Sequence, residues 1–300
     1  MAQTVRIGLI QHKCPTTTIS DPAQNLNKSI EMIRDAAAQG AQIVATQELF
    51  TLPYFPQTED DSHFALAETI PGPTSDRLCE LARELNIDII ASIFEKRTQG
   101  IFHNTAVTID HTGHIVGKYR KMHIPDDPCF YEKYYFTPGD SVDECWSFQQ
   151  TRHVKTGVLI CWDQWFPEAA RLTALRGAQI LFYPTAIAWL DGETEEDHQQ
   201  QFDAWLTIQR AHAISNGVYV AAINRIGREN KLNFWGSSVV IDPLGVVLAQ
   251  APIDDEAILI ADCDLSRIDA VRQAWPFLRD RRVDAYGDLT KRMIDSNPGT

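Results

Sequence analysis

Apolar positions along the chain fall into two periods. Runs rich in Val, Ile and Leu at residues 5–11, 41–46, 87–94, 104–109 and 116–119 read as strands. Between them lie stretches of helical period. Asp21 and Pro22 open the first of these, as a cap and a first-turn proline, and Leu26, Ile30 and Ile33 form its apolar stripe. Gly40 closes it. Residues 74–85 and about 196–215 predict two more helices. A fourth opens at Pro167, with Ala169, Leu172 and Leu175 as its expected inward face. Residues 49–61, LFTLPYFPQTEDD, are a loop rich in proline and aromatics. The HTGHI turn marks a hairpin. Residues 125–139 form a long irregular stretch whose aromatics argue for an ordered, functional loop.

The second half of the chain echoes the first. GAQIVATQE (40–48) returns as GAQILFYPT (177–185), and NTAVTIDHTGHIVGK (104–118) as GSSVVIDPLGVVLAQ (236–250). VRIGLI near the start returns as VKTGVLI (154–160). Two copies of strand, helix, strand and hairpin imply an internal pseudo-twofold, each copy a mixed sheet covered by helices. Two such sheets packed face to face give an α/β fold of four layers, an αββα sandwich. No linker rich in Gly or Ser divides the chain, so residues 1–300 are expected to form one domain. A tail from 275 to 300, carrying RDRR, is expected to fray or to pack on a partner subunit.

The stretch GVLICWDQWFPE (157–168) concentrates the chemistry. Its apolar start reads as a buried strand, and Cys161 follows where the chain turns toward the Pro167 helix. That is the setting of a nucleophile elbow with cysteine in place of serine. The following helix would favour an exposed thiolate. A free cysteine is as often buried and inert, so the neighbours must decide. Glu48 and Lys121 also fall just past strand ends, and strand ends of one polarity share an edge in a layered α/β fold. Taken singly, a carboxylate there is usually solvated, and the KYRK run around Lys121 reads as surface. Together the three close a reaction cycle. Cys161 attacks an sp² carbon, and Glu48 relays the proton to the leaving amine and then activates water. Lys121 and the backbone N–H of Trp162 hold the oxyanion.

Composition narrows the alternatives. A net charge of -13 argues against a nucleic-acid partner and is compatible with a cationic ligand. No apolar run is long enough to span a bilayer, and the opening residues lack the sections of a signal peptide. The six cysteines are dispersed with no CxxC pair, which fits a reducing, cytoplasmic setting. The histidines show no tight ligand spacing, so no metal site is expected.

The motifs QELF around Glu48, KYRKMHIP around Lys121 and GVLICWDQWFPE around Cys161 resemble those of the nitrilase superfamily of carbon–nitrogen hydrolases, in order and spacing. The resemblance runs from about residue 5 to 264. It implies the αββα sandwich, a Glu48–Lys121–Cys161 triad, and a second glutamate, Glu132 in FYEKYYFTPGD, that orients Lys121 and holds it charged. It also implies no metal or organic cofactor, and assembly as dimers or larger homo-oligomers. A non-catalytic scaffold is the distant alternative.

Side chains near the cysteine bear on the substrate. Asp163, Gln164 and Trp165 follow it, with no arginine before Arg171 to clamp a substrate carboxylate. Acids and aromatics are expected at the mouth instead: Tyr54, Glu59, Asp60, Tyr131, Trp189, Asp191 and Glu193. Such a set suits a small cationic substrate, a ureido head on an alkylammonium tail. Another ureido compound such as 3-ureidopropionate, another amide, or a nitrile stands as the nearer alternative.

Overall fold

The computed structural model describes residues 4–15, 21–140 and 145–294. Its elements, in chain order, are β1 (Thr4–Gln11), α1 (Ala23–Ala38), β2 (Ile43–Thr46), α2 (Pro73–Leu85), β3 (Asp88–Thr98), β4 (Ile101–Ile109), β5 (Ile115–Arg120) and α3 (Glu132–Tyr135). The second half adds β6 (Phe148–Gln150), β7 (Lys155–Val158), α4 (Pro167–Leu175), β8 (Ile180–Thr185), β9 (Ala188–Leu190), α5 (Glu195–Asn216) and β10 (Tyr219–Asn224). Then come β11 (Ile226–Glu229), β12 (Leu232–Trp235), β13 (Val239–Ile241), β14 (Val247–Gln250), β15 (Ala257–Asp264) and α6 (Ser266–Ala274).

Two six-stranded sheets carry the fold, ordered β15-β1-β2-β3-β4-β5 and β6-β7-β8-β10-β13-β14. Read in that direction, both pair as antiparallel, parallel, parallel, antiparallel, antiparallel. The sequence echoes sit at equivalent places: β1 matches β7, β2 matches β8, and the hairpin β4–β5 matches β13–β14. The repeat read from the sequence is therefore a repeat of sheet architecture. Strand alternation builds the layers. Val5, Ile7 and Leu9 of β1 enter the core shared with the second sheet, whereas Ile10 joins the core under α1 and α2. Helices α4 and α5 cover the second sheet from outside.

The inward face of α4 differs from expectation. Ala169, Ala170, Thr173 and Ala174 are buried, while Leu172 and Leu175 are exposed. The reason lies in β7. A Cβ on Gly157 would sit 2.3 Å from Thr173 Cγ2, so this helix rides too close to the sheet for leucine. Gly8, the equivalent residue in β1, likewise lies under Ala36 and Ala41.

Three further differences concern element ends. The hairpin β3–β4 pairs on through polar residues to Thr98 and Ile101, beyond where the apolar signal stops. Helix α1 starts one residue later than expected, with Asp21 Oδ1 accepting from the Ala23 N–H. A small third sheet, β11-β12-β9, lies outside the predicted pattern. Beyond α6, residues 275–294 hold two short helical turns and expose Trp275, Phe277, Leu289 and Met293. Residues 295–300 of the tail expected to pack on a partner lie outside the described residues. No helix among the described residues is long and apolar enough to cross a membrane.

Candidate active site

Strand ends position the reactive groups. Strands β2 and β5 run in one sense in the first sheet, β7 holds in the second sheet the place that β1 holds in the first, and the three finish at Thr46, Arg120 and Val158. Glu48, Lys121 and Cys161 follow within three residues of those ends. The irregular stretch after β5 contains one helical turn, α3, and its first residue is Glu132. All four side chains are buried.

Lys121 bridges the two acids. Its Nζ donates to Glu48 Oε1 at 2.9 Å and to Glu132 Oε2 at 2.6 Å. Asn104 Nδ2 donates to the same Glu48 Oε1 at 2.7 Å, and Ser92 Oγ fixes Asn104 in turn at 3.0 Å. Glu48 Oε2 is buried and has no hydrogen-bond partner, so one carboxylate oxygen is held while the other is left to act. The second oxygen of Glu132 accepts from the Tyr54 hydroxyl at 2.6 Å.

The electrostatics follow from burial and from this pairing. Burial works against the Lys121 ammonium, but the charges of Glu132 and Glu48 outweigh it and raise its pKa, so the lysine stays charged. Burial pushes the Glu132 carboxyl up to about 7, with the charge of Glu48 adding and that of Lys121 opposing. Burial also drives the Cys161 thiol well above its ordinary value, and the charge of Glu48 adds to it. This corrects the expectation of an exposed thiolate at a helix start. Cys161 is only 5% exposed, and α4 begins six residues later. The turn itself is the elbow foreseen: Cys161 has φ of 43° and opens a short 3₁₀ turn, Cys161–Trp165. A protonated thiol needs a base, and the free oxygen of Glu48 belongs to the same buried cluster.

Cys161 opens onto a cavity of about 430 Å³. Its walls include Phe130, Trp162, Trp165, Leu190 and Trp235, and its acids are Asp127 and Glu193. No Arg, Lys or His is among the residues lining it. Glu193 is anchored by the Leu190 N–H and by Gln201 Nε2, both at 2.8 Å.

Six of the seven expected tail contacts lie elsewhere. Tyr54 is buried beneath Glu132 and steadies it. Glu59 is exposed. Asp60 caps the Ser62 N–H and lines a separate cavity with Gln57 and His63. Tyr131 is half-buried, and its neighbour Phe130 takes the wall position. In β9, Ala188 and Leu190 line the cavity, and alternation turns Trp189 away, onto the ring of His198 at 4.6 Å. Asp191 pairs with Arg228 at the surface. Glu193 alone of the seven lines the cavity.

Four residues have places in the site that the sequence did not assign them. Asp127 is a short acid in the irregular stretch 125–139, among its aromatics. Asn104 is a polar residue inside an apolar strand. Asp163 sits within the cysteine motif itself. Arg225 directly follows the end of β10, the placement just past a strand that singled out Glu48 and Lys121, so the same rule would have found it. It is fully buried, with Nη2 donating to the carbonyls of Glu48 and Leu49 and Nη1 to Leu52 O and Glu229 Oε1. Arg171, the first arginine after Cys161, is half-buried beside Arg281 and Arg272, outside the cavity. Among the described residues no group of three or more His, Cys, Asp or Glu is placed to hold a metal ion.

Residues 6–273 match the carbon-nitrogen hydrolase family model. The N-carbamoylputrescine amidase of Solanum lycopersicum is 40% identical over 303 aligned positions, covering 98% of this chain and 97% of that protein. The citrullinase of Francisella tularensis is 38% identical, covering 90% and 94% respectively. The crystal structure of a carbon-nitrogen hydrolase from Helicobacter pylori G27 superposes with a TM-score of 0.92 at 42% identity, covering 97% of this chain and all of that one. The chain belongs to the carbon–nitrogen hydrolase family, within the nitrilase superfamily, and has its αββα fold. It is a hydrolase of carbon–nitrogen bonds.

Proposed function

We propose that this protein hydrolyses N-carbamoylputrescine to putrescine, carbon dioxide and ammonia, the step that completes putrescine synthesis from agmatine. The observation that carries this reading is the cavity over Cys161, which pairs aromatic walls with Asp127 and Glu193 and has no basic side chain in its lining. A protonated amine on an alkyl tail is favoured there and a carboxylate is not. The relatives named N-carbamoylputrescine amidase support the same substrate.

Cys161 Sγ attacks the ureido carbon as Glu48 takes the thiol proton. The Lys121 ammonium and the Trp162 N–H meet the oxyanion. Collapse breaks the bond to the terminal nitrogen, which leaves as ammonia with the proton from Glu48. The S-carbamoyl enzyme then meets water. Glu48 accepts one of its protons, hydroxide adds to the carbon, and the thiol regains that proton as the product carbamate departs. The carbamate loses carbon dioxide to give putrescine. Glu132, steadied by Tyr54, keeps Lys121 in place. No cofactor enters. The acting form is a cytoplasmic homo-oligomer.

Ammonia release from N-carbamoylputrescine, with citrulline and N-carbamoyl-β-alanine in parallel, tests the substrate. Strong turnover of the first and little of the others is expected. Turnover confined to a carboxylate-bearing compound overturns the reading. Citrulline is included because of the relationship to a citrullinase.

Glu193→Gln carries a sharper expectation. Loss of a charge-assisted contact should raise KM for N-carbamoylputrescine about tenfold with little change in kcat. It should leave KM for N-butylurea, which lacks the ammonium, unchanged. An equal effect on both compounds would refute the role of Glu193 as the amine partner.

A further inference from the structure

Asp163 is fully buried and accepts four hydrogen bonds from two separate segments. Its Oδ1 takes the His123 backbone N–H at 3.1 Å and His123 Nδ1 at 2.7 Å. Its Oδ2 takes the Ile160 backbone N–H at 2.9 Å and the Tyr119 hydroxyl at 2.8 Å. Tyr119 and His123 lie two residues either side of Lys121. Ile160 immediately precedes Cys161, whose φ of 43° needs outside support in a residue with a side chain. The His123 ring is further fixed by stacking on Phe166 at 3.7 Å, just ahead of α4.

We infer that Asp163 is a positioning residue that locks the segment bearing Lys121 to the turn bearing Cys161, and so sets the reach between nucleophile and cation. The inference rests on the roles given to those two residues above. A carboxylate suits the task because it is an acceptor on both oxygens. Asparagine, equal in size, fails in either orientation. With its oxygen toward Ile160, its NH₂ faces the His123 N–H; with its oxygen toward His123, its NH₂ faces the Ile160 N–H. One of the two backbone ties is lost either way, whereas the Tyr119 hydroxyl and the His123 ring can turn or change tautomer.

The test compares Asp163→Asn with Tyr119→Phe, which leaves both backbone ties intact. Two readouts are used: ammonia release from N-carbamoylputrescine, and the rate at which fluoroacetamide labels Cys161, followed by mass spectrometry. Asp163→Asn should lower kcat about 100-fold, the scale of a misplacement near 1 Å, with KM within about threefold. Labelling should slow in step. Tyr119→Phe should cost no more than about threefold in either. Wild-type kcat and labelling in a folded Asp163→Asn protein overturn the inference, as does a loss that Tyr119→Phe reproduces in full. Should Asp163→Asn not fold, Asp163→Glu takes its place: its longer side chain keeps two acceptor oxygens but displaces one backbone tie from the other, with an expected fall in kcat of about tenfold or more at constant KM; wild-type kcat there overturns the inference equally. A wild-type protein labelled by fluoroacetamide but inert toward N-carbamoylputrescine rejects the substrate alone, and labelling rates then decide the role of Asp163.

Discussion

Glu48→Gln is expected to fold and melt like the wild type and to lose turnover by a factor of about 10³ or more. The geometry explains both halves. Glu48 Oε1 holds Asn104 and Lys121, while Oε2 holds nothing. A glutamine keeps its oxygen on the first pair and places an amide where the free oxygen was. The hydrogen-bonded frame survives and the base does not. Cys161→Ser should fall at least as far, by about 10⁴, because a hydroxyl has lower nucleophilicity and a far higher pKa in the same buried setting. The two losses should not add, since base and nucleophile act in one step. Burial still raises the thiol's pKa once the Glu48 charge is gone, so Cys161 in Glu48→Gln should react with fluoroacetamide more slowly than in the wild type at neutral pH, and faster as the pH rises. A folded Cys161→Ser protein with wild-type ammonia release would sink the assignment of the nucleophile.

The sequence disclosed the sheets more fully than it did the pocket. Strands announce themselves by apolar runs, and the echo of GAQIVATQE in GAQILFYPT survives because both sit at the same position of equivalent sheets. The charged and thiol residues were legible by their place, since Glu48, Lys121 and Cys161 each fall just past the end of a strand. Buried polar support was harder to see. Asn104 and Asp163 carry no period and are ordinary residue types, and their work depends on partners dozens of residues away. The pocket acids fared worst. Acidic loop residues are abundant in a chain of net charge -13, and loop conformation alone decides that Glu193 lines the cavity while Asp191, two residues earlier, pairs with Arg228. The exposed leucines of α4 taught the converse: a leucine stripe marks an inward face only where the sheet leaves room for it.

Lys121→Met should be inactive, with a loss on the order of 10³-fold, and also markedly unstable. Removing the one cation from between two buried carboxylates leaves charge without compensation, at a cost of about 3–5 kcal/mol. The pH dependence separates this from a packing defect. Glu132 already has a folded pKa near 7, above its ordinary value of 4.5. A carboxyl raised on folding binds its proton more tightly in the native state. Its stabilising contribution is therefore present in acid and lost as pH rises through the folded value. Without the opposing pull of Lys121 that value climbs further. The stability gap between Lys121→Met and wild type should thus be small near pH 5 and wide near pH 8, as thermal unfolding at the two values would show. Adding Glu132→Gln should recover much of the stability at pH 8 and none of the turnover, because the charge imbalance is relieved while the oxyanion still lacks its cation. An equal gap at both pH values would place the cost of the substitution in packing, and turnover regained by the double variant would remove Lys121 from the chemistry.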